Sequence, residues 1–155
     1  SQLKRSQQPE RTSRSFTVPA FSTRLRLLAL GYGALLLIWT SIEDNGVLPV
    51  TLLGVGLSLL LTALFATRRF GGITFHDDGA MLRAALYGAA AGLGSSLATA
   101  ALMLLKTGLH SHLFPDYPFG MIADTVARAP LWAFAGALTG IGMLLAWWAM
   151  REQQS

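Results

Sequence analysis

The sequence predicts an all-α protein: an integral membrane bundle of four transmembrane helices, with a short interfacial helix before the fourth. Three observations carry that expectation. Charged residues make up 13% of the 155 residues and hydrophobic ones 52%, whereas a soluble domain carries about 25% charge. The charges are excluded from four blocks, 27–42, 45–67, 84–105 and 129–150, of 16, 23, 22 and 22 residues. A spanning helix needs about 20 mostly apolar residues at a rise of ~1.5 Å each. The last three blocks meet this outright, and the first does so if Arg26 snorkels toward the headgroups. Finally, all four tryptophans fall at block ends: Trp39 closes the first, Trp132 opens the fourth, and Trp147 and Trp148 close it. Indole favours that interfacial level because one edge is polar and the body apolar.

In chain order, residues 1–22 read as a mobile basic tail rich in Ser, Gln and Pro, in which Phe16, Val18 and Phe21 could touch the bilayer surface or a partner. The tail has no apolar core of the signal-peptide kind, so the first block is expected to remain as a helix. The helical domain then covers 23–150, with spans at about 25–42, 47–67, 82–105 and 130–150, and a short tail follows at 151–155. Glu43-Asp44-Asn45-Gly46 is a tight turn between spans one and two. Asn45 is expected to cap span two, with Pro49 tolerated in its first turn. Residues 68–79 read as an extended or looped excursion, with Asp78 as the next helix cap and Arg68 and Arg69 paired with Asp77 and Asp78. Thr107-Gly108 reads as a helix stop. Residues 121–129 then form a short surface helix with Ile122, Val126 and Ala129 on one face and Asp124 and Arg128 on the other, and Pro130 opens span four.

Charge sets the expected orientation. With the N-terminal tail on side one, that side receives ten basic residues, including Arg24, Arg26, Arg68, Arg69, Arg83 and Arg151, and side two only Lys106 and Arg128. Acidic residues split evenly. Positive residues resist translocation, so side one, with both termini, is expected to be cytoplasmic or stromal. The net charge of +4 then reflects orientation and anionic lipid, not nucleic acid. The interfacial set is Arg24, Arg26, Trp39, Arg68, Arg69, Trp132, Trp147 and Trp148.

Packing information is concentrated in spans three and four, where Gly88/Gly92 and Gly136/Gly140 are both GxxxG pairs and Ser95 and Ser96 extend the small face. Between lipid-solvated helices, dispersion and close backbone approach must hold helices together. These faces are therefore expected to pack on each other or on a neighbouring protein. His110, His112 and Asp116 form the one cluster with metal-ligand chemistry; the competing reading is hydrogen bonding at the membrane edge. Zero cysteines exclude thiolate catalysis and disulfides. None of the four blocks contains His, Asp, Glu, Lys or Arg, which argues against buried haem ligation, proton relays and ion-coupled transport. Nucleophile-elbow, zincin and P-loop motifs are absent. No cofactor is expected, although a bound lipid or pigment is compatible with the composition.

The run 106–112, with Pro115-Asp116-Tyr117-Pro118 and Arg128-Ala129-Pro130-Leu131-Trp132, resembles a family of small four-span membrane proteins of cyanobacteria. The resemblance covers roughly the last third of the chain. It implies a thylakoid or cell inner membrane and carries over no catalytic residue. The function expected from these features is a non-enzymatic accessory or assembly subunit. It would dock through Gly88, Gly92, Ser95, Ser96, Gly136 and Gly140 onto other integral proteins of a photosynthetic or respiratory complex. The alternative is a homo-oligomeric channel or carrier for a small neutral or lipid-like solute.

Overall fold

The computed structural model describes residues 15–42, 46–109 and 115–153. In chain order they form β1 (Ser15–Thr17), α1 (Thr23–Ser41), α2 (Val47–Phe70), β2 (Thr74–His76), α3 (Asp77–Leu109), α4 (Phe119–Ala127) and α5 (Ala129–Glu152). The architecture is all-helical apart from one two-stranded ribbon. Among the described residues three helices, α2, α3 and α5, are long and apolar enough to cross a membrane. The shorter α1 has 19 residues and begins with Arg24 and Arg26 near its start, which lowers its hydropathy; it is not among the three.

The central element is α3. Its N-terminal half lies antiparallel to α5, so that Gly88 meets Gly136 and Gly140 while Gly92 meets Trp132 and Ala133. A different flank lies antiparallel to α2, with Gly54 against Thr99 and Ser58 against Gly94. Its C-terminal half also supports α4, where the Ser96 hydroxyl donates to the Thr125 carbonyl at 2.5 Å. Helix α1 packs more sparsely on α2. The Tyr32 hydroxyl donates to the Leu53 carbonyl at 2.5 Å, and Trp39 joins Val50 in the cluster at the far end. An added methyl group at Gly31 or Gly33 would meet nothing within 4 Å.

The ribbon was not visible in the sequence. β1 pairs antiparallel with β2, Phe16 opposite Phe75. The pairing continues through Val18, whose N–H donates to the Ile73 carbonyl at 3.1 Å and whose carbonyl accepts from Gly72 at 2.9 Å. Gly72 has φ +82°, a left-handed conformation that only glycine adopts cheaply, and it turns the chain out of α2 into β2. The tail that was expected to run free to residue 22 is therefore tied down from residue 15. The reason is the unpaired backbone edge of β2, which β1 satisfies. The predicted cap at Asn45 and the predicted carboxylates at Asp77 and Asp78 fall outside the described residues and side chains. The predicted stop at Thr107-Gly108 falls one residue before Leu109, the last described residue of α3. Thr107 uses its hydroxyl to accept the Tyr117 N–H at 3.2 Å.

Candidate functional site

Three regions position side chains with chemistry: the α3–α5 seam, the two ends of the bundle, and a cleft between α2 and α5.

In the seam, the six small residues predicted as a packing or docking face are largely occupied within the chain. A Cβ built on Gly88 would lie 2.9 Å from the Gly136 carbonyl carbon, and one on Gly136 would lie 3.0 Å from Gly92 Cα. One on Gly140 would lie 3.0 Å from the Ala84 carbonyl carbon. Backbone meets backbone here. Ser95 and Ser96 are buried but turn elsewhere: Ser95 donates to its own helix at Ala91, 2.7 Å, and Ser96 reaches α4. The Ala91 carbonyl also accepts from Ser58 of α2 at 2.7 Å, so one carbonyl joins α2 to α3. Helices α2, α4 and α5 thus cover much of α3's small surface, and the edge they leave at Gly88, Ala91 and Gly92 lines a cleft.

The two ends differ in charge. At the end formed by the ribbon, the start of α3 and the finish of α5, guanidinium groups stack on rings. Phe21 lies between Arg26 (4.8 Å) and Arg68 (4.9 Å). Arg69 lies 5.9 Å from Phe70, Arg83 3.9 Å from Phe75, and Arg151 4.0 Å from Trp147. Each such contact is worth about 0.5–1 kcal/mol where exposed, and they gather five arginines at this end of the bundle.

The opposite end is a compact apolar cluster of Trp39, Val50, Ala100, Leu102, Met103, Tyr117 and Ile122. Trp39, expected at the lipid interface, stands at this end of the bundle and is 6% exposed, packed in the cluster with the Lys106 ammonium 4.4 Å from its ring. Lys106 itself is 0% exposed, a site that sequence reasoning treated only as a topology marker. Tyr117 closes this end by donating to the Gly46 carbonyl at 3.2 Å. Asp116, half-buried beside Tyr117, belongs to the predicted metal cluster, but His110 and His112 lie outside the described residues. Among the described residues no group of three or more His, Asp or Glu is placed to hold a metal ion.

The cleft is the feature the sequence did not reveal. Helices α2 and α5 flank α3 and leave between them a largely apolar cavity of about 770 Å³. Its floor is Gly88, Ala91 and Gly92 of α3; its walls include Val55, Leu59 and Ala66 of α2 and Trp132, Ala135 and Thr139 of α5. Its mouth, at the arginine-rich end, is formed by Val18, Phe70, Phe75, Arg83 and Trp147. Of the predicted interfacial residues, Trp132 and Trp147 therefore face this cleft. No family model matches the chain, and neither a curated protein nor a solved structure does.

Proposed function

We propose that this chain is a non-enzymatic, multi-pass integral membrane protein that serves as an accessory or assembly subunit of a larger photosynthetic or respiratory membrane complex. The observation that carries the reading is the cleft. The strongest small-residue contacts are spent inside the fold and the charges sit at the two ends. Open at membrane depth is a groove between α2 and α5 with Leu59 in its wall, and α5 also exposes Leu131 and Leu138. Such a surface suits neighbours within the bilayer; among the described residues its lining holds hydroxyls and Arg83 but no carboxylate or imidazole.

Four crossings fit this reading. Strand pairing ties residues 15–17 to the end where α2 finishes, while Trp39 packs at the end where α2 begins. Helix α1, about 28 Å long by its rise per residue, thus runs beside α2 from one end to the other. The arginine-rich end then faces the cytoplasm or stroma, in a cell inner membrane or a thylakoid.

Affinity purification in a gentle detergent, followed by mass spectrometry, tests the reading. Recovery in fixed stoichiometry with other membrane subunits is expected. Recovery of this chain without other subunits, combined with solute flux when it is reconstituted in liposomes, would replace the reading with the second one, a carrier for a lipid-like solute. The apolar lining of the cleft is what favours that second reading. The glycine seam is unsuitable for this test, because Gly92→Leu strikes the Trp132 backbone of the same chain before it strikes any partner.

A further inference from the structure

We propose that the α2–α5 cleft is a binding site for one anionic phospholipid, with an acyl chain lying along the α3 floor and the phosphate held at the mouth by Arg83. The proposal needs α2, α3 and α5 to sit in a bilayer. It holds whether the chain is an accessory subunit or a carrier.

Length and lining suit an acyl chain. From Trp132 to Trp147 the cleft follows α5 for about 22 Å by helix rise, most of one ~30 Å hydrocarbon core. Its lining is largely apolar along that length, and Gly88, Ala91 and Gly92 at its floor leave it free of bulky side chains there.

Charge selects the headgroup. The mouth lies at the end that carries Arg24, Arg26, Arg68, Arg69, Arg83 and Arg151 against Asp77, Asp78 and Glu152. Arg83 lines the cleft itself and is held over the Phe75 ring, another lining residue. Arg151 stacks on Trp147 at the same mouth. A guanidinium pre-positioned on a ring presents a planar fork to phosphate oxygens. Within a bilayer an acyl chain gains no hydrophobic energy by moving from lipid to protein. Selectivity must therefore come from the headgroup.

The test uses the full chain reconstituted in vesicles of equal phosphatidylglycerol and phosphatidylcholine, extracted in mild detergent and weighed by native mass spectrometry. One retained phospholipid per chain is expected, with about a fivefold preference for phosphatidylglycerol, the ratio that corresponds to the roughly 1 kcal/mol of one basic residue beside anionic lipid. Arg83→Gln should bring the preference close to parity while lipid is still retained. Ala135→Phe or Thr139→Leu, at exposed wall positions, should lower retention of both lipids at an unchanged unfolding midpoint. The double variant Arg24→Gln/Arg26→Gln removes two charges at positions that do not line the cleft and should keep the preference. Equal retention of the two lipids by the wild type, a preference that survives Arg83→Gln, or a loss in the double variant as large as in Arg83→Gln would each overturn the site. So would full retention in both wall variants.

Discussion

Replacing Gly92 with alanine is the sharpest probe of how the bundle is held. The added Cβ would stand 2.7 Å from the Trp132 carbonyl carbon and 3.2 Å from Ala133 Cα, and closer still to the Trp132 oxygen. Carbon atoms pack comfortably at about 3.5–4.0 Å, so α3 and α5 must separate by about 1 Å. The obstacle is helical backbone and no rotamer change relieves it. Overpacking of this kind costs about 1–3 kcal/mol, and the upper part of that range applies. Alanine recovers about 1 kcal/mol of helix propensity, leaving a net loss of about 1–2 kcal/mol. Gly142 of the same helix α5 provides the control, since a methyl there meets nothing within 4 Å. Gly142→Ala should be neutral or stabilising by up to about 1 kcal/mol. The gap between the two variants is then about 1–3 kcal/mol, roughly 5–150-fold in the unfolding constant. Titrating the purified protein from a mild detergent into dodecyl sulfate, followed by tryptophan fluorescence, measures it. If Gly92→Ala proves as stable as Gly142→Ala, the backbone seam does not hold α3 to α5 and the packing argument fails.

Other perturbations probe single contacts. Ser58→Ala removes the one hydroxyl that bridges α2 to the Ala91 carbonyl; the same titration should show a loss of about 0.6–1.7 kcal/mol, the span measured for hydrogen bonds inside membrane bundles. Tyr117→Phe deletes the bond to the Gly46 carbonyl and should cost no more than about 1.5 kcal/mol globally. It should nevertheless accelerate amide exchange around residue 117, because that bond ties the segment to the start of α2. Phe21→Ala takes away the ring shared by Arg26 and Arg68. Two cation–π contacts at about 0.5–1 kcal/mol each should appear as faster exchange at Val18 and Ile73, with α3 and α5 unaffected.

The helices were readable because hydrocarbon imposes a coarse rule: blocks without charge, of sufficient length, become helices. The seam was readable too, since paired GxxxG segments in consecutive helices have few other uses. The sequence left open whether those glycines served a partner or each other, and the antiparallel register of Gly88 with Gly136 and Gly140 shows that they meet within the chain. The ribbon escaped because three-residue strands have no period to detect, and Phe16 opposite Phe75 joins positions far apart in sequence. The cover over Trp39 was hidden for a related reason: the Lys106 ammonium, 4.4 Å from its ring, lies on α3, beyond the whole of α2 in the chain. The cleft is the extreme case, since it depends on the angle at which α2 and α5 leave α3. No local pattern records that angle.

Three helices are long and apolar enough to cross a membrane, and a labelling pattern decides whether α1 makes a further crossing. Helix α1 bears Leu27, Leu28, Leu30, Leu37 and Ile38 on exposed positions, an apolar surface that water does not tolerate in a monomer. It could meet lipid by crossing or by lying in the headgroup plane, and the two arrangements differ in where Ser41 ends. If α1 crosses, Ser41 is on the face opposite Ser22, together with Pro118; Ile73 stays with Ser22, held by the strand pairing. If α1 lies flat, Ser22 and Ser41 share a face. The chain has no native cysteine, so single replacements at Ser22, Ser41, Ile73 and Pro118 can be labelled from one side of sealed vesicles without background. The expected pattern pairs Ser22→Cys with Ile73→Cys and Ser41→Cys with Pro118→Cys, on opposite faces. Labelling of Ser22→Cys and Ser41→Cys from the same face would reduce the crossings to three, and α1 would then be an interfacial helix whose two arginines hold it against anionic headgroups.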